Sequence, residues 1–209
     1  MKIISISNRK LCHDDFLSRL ESISNSGVES IYLREKDLSQ EEYTSLSEKI
    51  LKVCNNCDIY IVKYIDVAKT LNCKNIHLSY KDFLSNCDAL GDFKNVSVSV
   101  HSVDEAITSS KMGATRLITG HIFATDCKKN LAPRGLEYLE KVCSSVNIPV
   151  YAIGGISPNN AMQTIKRGAD GVCVMSSLMQ THNVNTLVES LQTNAFLSWF
   201  IVIIHNFDF

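Results

Sequence analysis

The feature that most limits how this chain can fold is a repeating unit. A short run of β-branched and apolar residues ends on a polar residue and is followed by a longer amphipathic stretch. The runs are Lys2–Ser7, Val28–Leu33, Asp58–Val62, Asn75–Leu78, Val96–Val100, Thr115–Thr119, Pro149–Ile153 and Gly171–Met175. Helices are predicted over about 14–26, from a Ser39 cap onward, over 66–71, from a Ser102 cap onward, over 136–145, from Pro158 at a first helical position, and near 183–192. Ser39 and Glu42 have capping-box spacing. Strands alternating with helices call for parallel pairing through right-handed crossovers. Runs such as Val-Tyr-Ala-Ile and Val-Cys-Val-Met are apolar throughout, as strands buried on both faces must be.

Two architectures use this alternation, an open doubly wound sheet and a closed barrel. The open sheet needs a glycine-rich phosphate turn after its first strand, and Ser7-Asn8-Arg9-Lys10 has no glycine. The expected fold is therefore a compact α/β chain, a single (β/α)8 TIM barrel. Its 209 residues sit at the short end of that fold's range. Residues 1–180 should form the barrel core, and 181–209 a last helix and an apolar tail. In that tail, Phe196–Ile204 is too short to cross a bilayer. It has three readings: packing on the barrel, packing on a second copy of the chain in a homo-oligomer, or a non-native end.

Composition narrows the function classes. A net charge of −1 gives no electrostatic case for nucleic acid or an acidic membrane surface, so neither is an expected partner. The N-terminal stretch lacks the apolar core of a signal peptide, and the eight cysteines are scattered through apolar patterns. Both point to a cytoplasmic protein with free thiols. Cys54 and Cys57 form a CxxC with no second pair to complete a zinc set, so no metal is expected there.

A barrel brings the C-terminal ends of its strands to one face, where active sites lie. That face should gather Asn8, Arg34, Lys36, Lys63, His77, His101, His121, Gly154, Gly155, Ser176 and Ser177. Cations concentrated at the mouth of a near-neutral protein suit a phosphorylated ligand. Gly154-Gly155 and Ser176-Ser177 follow the seventh and eighth strands, where such barrels hold phosphate. Arg34 and Lys36 would share one side if their strand persists, with Glu35 opposed. Gly120–Gly135 is a long connection carrying His121, Thr125 and Lys128. A histidine there can take and give a proton near neutral pH.

These residues resemble the thiamine phosphate synthase superfamily of (β/α)8 barrels. The resemblance runs through Leu33-Arg34-Glu35-Lys36, Ile76-His77-Leu78, Ser97–Ser102, Gly120–Lys129, Ala152–Ile156 and Gly168–Val172. Two activities occur in it. The synthase branch has Gly-Pro-Ile/Val-Phe-Pro-Thr after the sixth strand and a metal-holding Asn-Asp after the third; here Lys63-Tyr64 stands near that pair. Asp82 matches its second metal carboxylate, and Tyr32 replaces its usual glutamine. The tautomerase (TenI-type) branch has Gly-His-Val/Ile-Phe-x-Thr-Asp-Cys-Lys-Lys, which Gly120–Lys129 matches throughout.

The resemblance to that branch implies a thiazole tautomerase of thiamine biosynthesis, needing no metal or cofactor. His121 would move the proton and Gly154, Gly155, Ser176 and Ser177 would hold the phosphate of a small phosphorylated thiazole. Arg34, Lys36, His101, Thr125 and Lys128 would contact the substrate, one of the cations pairing with its carboxylate. The synthase reaction, with Mg²⁺, is the second expectation, and a non-catalytic thiazole phosphate or thiamine phosphate sensor the third.

Overall fold

The computed structural model describes residues 1–128 and 131–193. Eight parallel strands pair in sequence order and the eighth pairs with the first, closing a barrel. They are β1 (Lys2–Ile6), β2 (Ser30–Leu33), β3 (Asp58–Val62), β4 (Asn75–Ser79), β5 (Asn95–Val100), β6 (Arg116–Gly120), β7 (Val150–Ile153) and β8 (Gly171–Val174). The helices between them are α1 (Phe16–Ser24), α2 (Gln40–Val53), α3 (Ile65–Thr70), α4 (Tyr80–Asn86), α5 (Val103–Lys111), α6 (Gly135–Ser145), α7 (Ala161–Ile165) and α8 (Ser176–Gln180). A last helical segment occupies 184–193. The apolar stretch Phe196–Ile204 lies outside the described residues.

Strand alternation sorts the apolar residues into two cores. Outward side chains, among them Ile3, Ile31, Ile61, Ile76, Val98 and Leu117, meet helix residues such as Leu20, Ile23, Ile50 and Leu139. Inward side chains Ile4, Ile6, Tyr32, Tyr60, Ile118, Tyr151 and Cys173 fill the barrel as a separate cluster. Tyr32 and Tyr60 stack at 4.3 Å between ring centroids. The lumen is filled with packed side chains.

Capping places the helices. Ser39 Oγ accepts from Glu42 N–H and Glu42 accepts in return from Ser39 N–H, completing the capping box at α2. Ser102 and Ser79 cap α5 and α4, their hydroxyls accepting from Glu105 N–H and Asp82 N–H; α4 is an element the sequence pattern did not announce. Pro158 does not open a helix as expected. The stretch from Ser157 first makes a turn, with Ala161 N–H donating to Ser157 O, and α7 begins at Ala161. The side chain of Asn160 closes that turn, accepting from Ser157 N–H and donating to Gly155 O, so the helix starts after it.

Candidate active site

The mouth is organised at the ends of β2 and β3. Tyr43, buried on α2, donates its hydroxyl to Leu33 O (2.6 Å) and accepts from Val62 N–H (3.0 Å), stapling the two strand ends together. Arg34 N–H turns away from the ladder to Ser7 Oγ (2.9 Å), so β2 stops at Leu33 and the condition under which Arg34 and Lys36 would share a strand face is not met. Glu35 is buried, 3% exposed, and accepts from Ser7 Oγ (2.6 Å), Arg9 N–H (3.1 Å) and Arg9 Nη1 (3.3 Å). Arg9 in turn makes a bidentate pair with Asp37 (2.6 and 2.8 Å). Arg9 and then Lys10 hold the Asp37 carboxyl well below the usual carboxylate range.

Those contacts consume the carboxylates near the β2 end and leave Arg34 and Lys36 without one. Lys36 is held below the usual ammonium range by Arg34 first, then by partial burial, then by Lys128 and Lys63. Lys36 therefore feels Arg34, Lys63 and Lys128 across the mouth. Among the described residues none of these four is ion-paired. Lys63 follows β3 with φ of +76°, the left-handed region that asparagine tolerates better than lysine. Its N–H donates to His77 O (2.9 Å), and its ammonium lies 5.2 Å from the Tyr64 ring centroid.

His77 does not belong to the mouth. It projects into the barrel from the middle of β4, with its ring nitrogens 2.9 Å from Ser97 Oγ and 2.8 Å from Ser99 Oγ. Burial, helped by Arg34, lowers its pKa to about 3, so it is a neutral structural imidazole. His101 is exposed at the end of β5, its Nδ1 3.3 Å from Gly120 O and its N–H donating to Glu105.

The β6–α6 and β7–α7 loops are locked together. Ile122 N–H donates to Ile153 O (2.9 Å) and Phe123 N–H to Gly154 O (3.0 Å), continuing the β6–β7 ladder beyond the strands. Gly154 and Gly155 have φ of +98° and +66°. A Cβ on Gly154 would stand 2.2 Å from His121 Cβ, and one on Gly155 2.4 Å from Ala124 O. The two glycines thus admit the neighbouring loop as well as offering backbone to a ligand, a purpose visible only in three dimensions. Ser176 and Ser177 open α8 on the adjacent strand end.

His121 is 5% exposed and its Nε2 donates to Leu131 O at 3.2 Å. Arg134 N–H returns to His121 O (2.9 Å) and Gly135 N–H to Ile122 O (3.2 Å), closing the base of the loop. On that loop, Thr125 Oγ1 accepts from Cys127 N–H, and Lys128 sits exposed in a short turn over Asp126–Lys128. The mouth therefore carries cations after β2, β3 and β6 and a glycine–serine set at the ends of β7 and β8.

A divalent metal fits this mouth poorly. Oxygen ligands, carboxylates above all, are what Mg²⁺ requires. Lys63-Tyr64 stands near where the synthase pattern has its Asn-Asp pair, with Tyr64 in register with the aspartate. Asp82 is occupied at the start of α4, where its carboxylate accepts from Ser79 Oγ at 2.7 Å. Among the described residues no three His, Cys, Asp or Glu side chains form a metal-holding group. Among them, too, no helix is long and apolar enough to cross a membrane.

A family model described as thiamine monophosphate synthase matches residues 3–178. A thiamine-phosphate synthase of Clostridium acetobutylicum is 31% identical over 88% of this chain and 89% of its own length. That of Clostridium tetani is 30% identical over 85% of this chain and 87% of its own. Among solved structures, thiamine phosphate pyrophosphorylase from Pyrococcus furiosus superposes with a TM-score of 0.80 at 26% identity, covering 94% of this chain and 96% of that one.

These relatives overturn the tautomerase expectation. It rested on one ten-residue loop, whereas likeness to proteins named as synthases runs along nearly the whole chain. The site adds a physical reason. The Nε2 of His121 donates to the Leu131 carbonyl and its ring is buried.

Proposed function

The chain belongs to the thiamine monophosphate synthase family, and we propose that it is a transferase joining a thiazole phosphate to a hydroxymethylpyrimidine diphosphate. The observation that carries this reading is identity of about one residue in three to curated thiamine-phosphate synthases over most of both chains. In the proposed reaction the thiazole nitrogen lone pair forms a bond to the pyrimidine methylene carbon. The carbon–oxygen bond to diphosphate breaks, its electron pair leaving with the oxygen. No oxidant or reductant is needed, and the products are thiamine phosphate and pyrophosphate.

The two sides of the mouth suit the two anions. Gly154, Gly155, Ser176 and Ser177 carry no charged side chain, and we assign them the thiazole phosphate. Arg34, Lys36 and Lys128 face the larger anion, whose negative charge grows as the bond breaks. Fixed cations aimed at developing charge lower such a barrier directly. His101 and Thr125 flank the space between them. His121 acts by position, holding the loop that presents Lys128.

The test is direct. The purified protein, given both half-molecules with and without Mg²⁺, should release thiamine phosphate and pyrophosphate in equal amounts over many turnovers. No product above the uncatalysed background under either condition would remove the assignment.

A further inference from the structure

The family resemblance carries an expectation of Mg²⁺, and this mouth is built otherwise. Tyr64 stands where the metal aspartate of the resemblance would be, and the residue just before it is informative. Lys63 occupies a left-handed backbone position at the end of β3, held by its N–H to His77 O. The Tyr43 staple sets that strand end beside the end of β2, which carries Arg34 and Lys36. Lys128 completes the set from the β6–α6 loop. The Arg34-Glu35-Lys36 triplet would halve its own charge effect if Glu35 faced the same way. Instead Ser7 and Arg9 hold Glu35 in the wall.

Uncompensated like charges at close range are unfavourable, increasingly so as water is excluded, and a polyanion relieves the repulsion. The depressed proton affinity of Lys36 is the same repulsion seen from another side. A bound metal would add two further positive charges to a site already crowded with them.

Resting on the synthase reading above, we propose that the diphosphate site needs no divalent cation: the Lys63 ammonium, with Arg34, Lys36 and Lys128, supplies the positive charge that a metal would bring. Inorganic pyrophosphate is the probe. Titrated calorimetrically into the full chain with EDTA, it should bind, and excess Mg²⁺ should leave the affinity unchanged or lower it, because Mg²⁺ competes for pyrophosphate in solution. Lys63→Ala should weaken binding in EDTA by about tenfold, equivalent to about 1.4 kcal/mol, and Lys63→Arg should retain it. Lys63→Asp, well tolerated at a left-handed position, should bind poorly in EDTA and recover with Mg²⁺. Circular dichroism of each variant separates a folding defect from a binding one.

Pyrophosphate that binds only with Mg²⁺, or more tightly with it, overturns the proposal, as does full affinity in folded Lys63→Ala. The reaction assay fails separately. Metal-free pyrophosphate binding without thiamine phosphate formation would keep this site and discard the transferase reading; turnover with Mg²⁺-dependent binding would do the reverse.

Discussion

The two ends of this barrel handle positive charge in opposite ways. At the bottom, Arg116 enters the lumen from β6 between the rings of Tyr60 and Tyr151, at 5.1 and 5.4 Å from their centroids. Glu29 lies 3.6 Å from Arg116, 3.0 Å from Lys2, and accepts the Tyr151 hydroxyl at 2.5 Å. One carboxylate, Glu29, answers both cations there. At the top, Lys36 feels Arg34, Lys63 and Lys128, and the two acidic residues that flank it are held elsewhere, Glu35 by Ser7 and Arg9 and Asp37 by Arg9 and Lys10. Compensated charge holds a fold together, and uncompensated charge waits for a ligand. Substitutions at the bottom should therefore be read in stability, and at the top in turnover.

The largest effect should come from the top. Arg34→Ala should lower synthase turnover by about 10²–10³-fold, the usual cost of removing one preorganised charge donor. Its midpoint of urea unfolding should stay level or rise slightly, since a repulsion is removed. A variant that loses stability in step with activity would erase the contrast between the two ends.

Arg116→Leu should do the opposite, costing about 1–2 kcal/mol in urea unfolding because Glu29 loses the more buried of its two cations and the Tyr60 and Tyr151 rings lose their guanidinium contact. Turnover per folded molecule should be preserved. A deficit in turnover with normal stability would mean that the bottom end communicates with the site.

Acid should act through His77. Its folded pKa of about 3 lies below the ordinary value of 6.5. Below about pH 6.5 the unfolded chain therefore binds a proton that the buried ring refuses. Stability contributed by this group is lost as the pH falls, at up to about 1.4 kcal/mol per pH unit, or about 2 kcal/mol by pH 5. His77→Gln should flatten that part of the stability–pH curve. An unchanged slope would show that His77 is not the group responsible.

The smallest effect belongs to a compensated pair on the outer surface. Arg167 and Glu140 stand 2.7 Å apart, both about half exposed, and Arg167→Ala should cost less than about 0.5 kcal/mol in thermal or urea unfolding.

The barrel was legible in the sequence because its signal is repeated and additive. Each strand is a short run with a two-sided apolar character, and caps such as Ser39 and Ser102 mark helix starts through local hydrogen bonds. Local bonding also explains the errors. Pro158 suits a first helical turn, but the Asn160 side chain closes a different turn ahead of α7. Arg34 and Lys36 were recognisable as anion contacts from their strand end alone. Nothing near Glu35 in sequence says that Ser7 and Arg9, from another strand end, will draw it away.

The functional branch was misjudged because His121 stands in a motif that matches one activity at every position. What that histidine does depends on Leu131, ten residues on, whose carbonyl engages its ring. The role of Gly154 was likewise only half visible, since a glycine pair after a strand signals a ligand but not the loop that leans on it.

That contact between Gly154 and His121 has a consequence for anyone remodelling this protein. Two connections that look separable along the chain are, in effect, a single moulded part with complementary halves. Transplanting either loop alone from a relative would set a foreign surface against a fitted one. Exchanging both together carries the fit along, and is the graft that should yield folded protein with altered substrate preference.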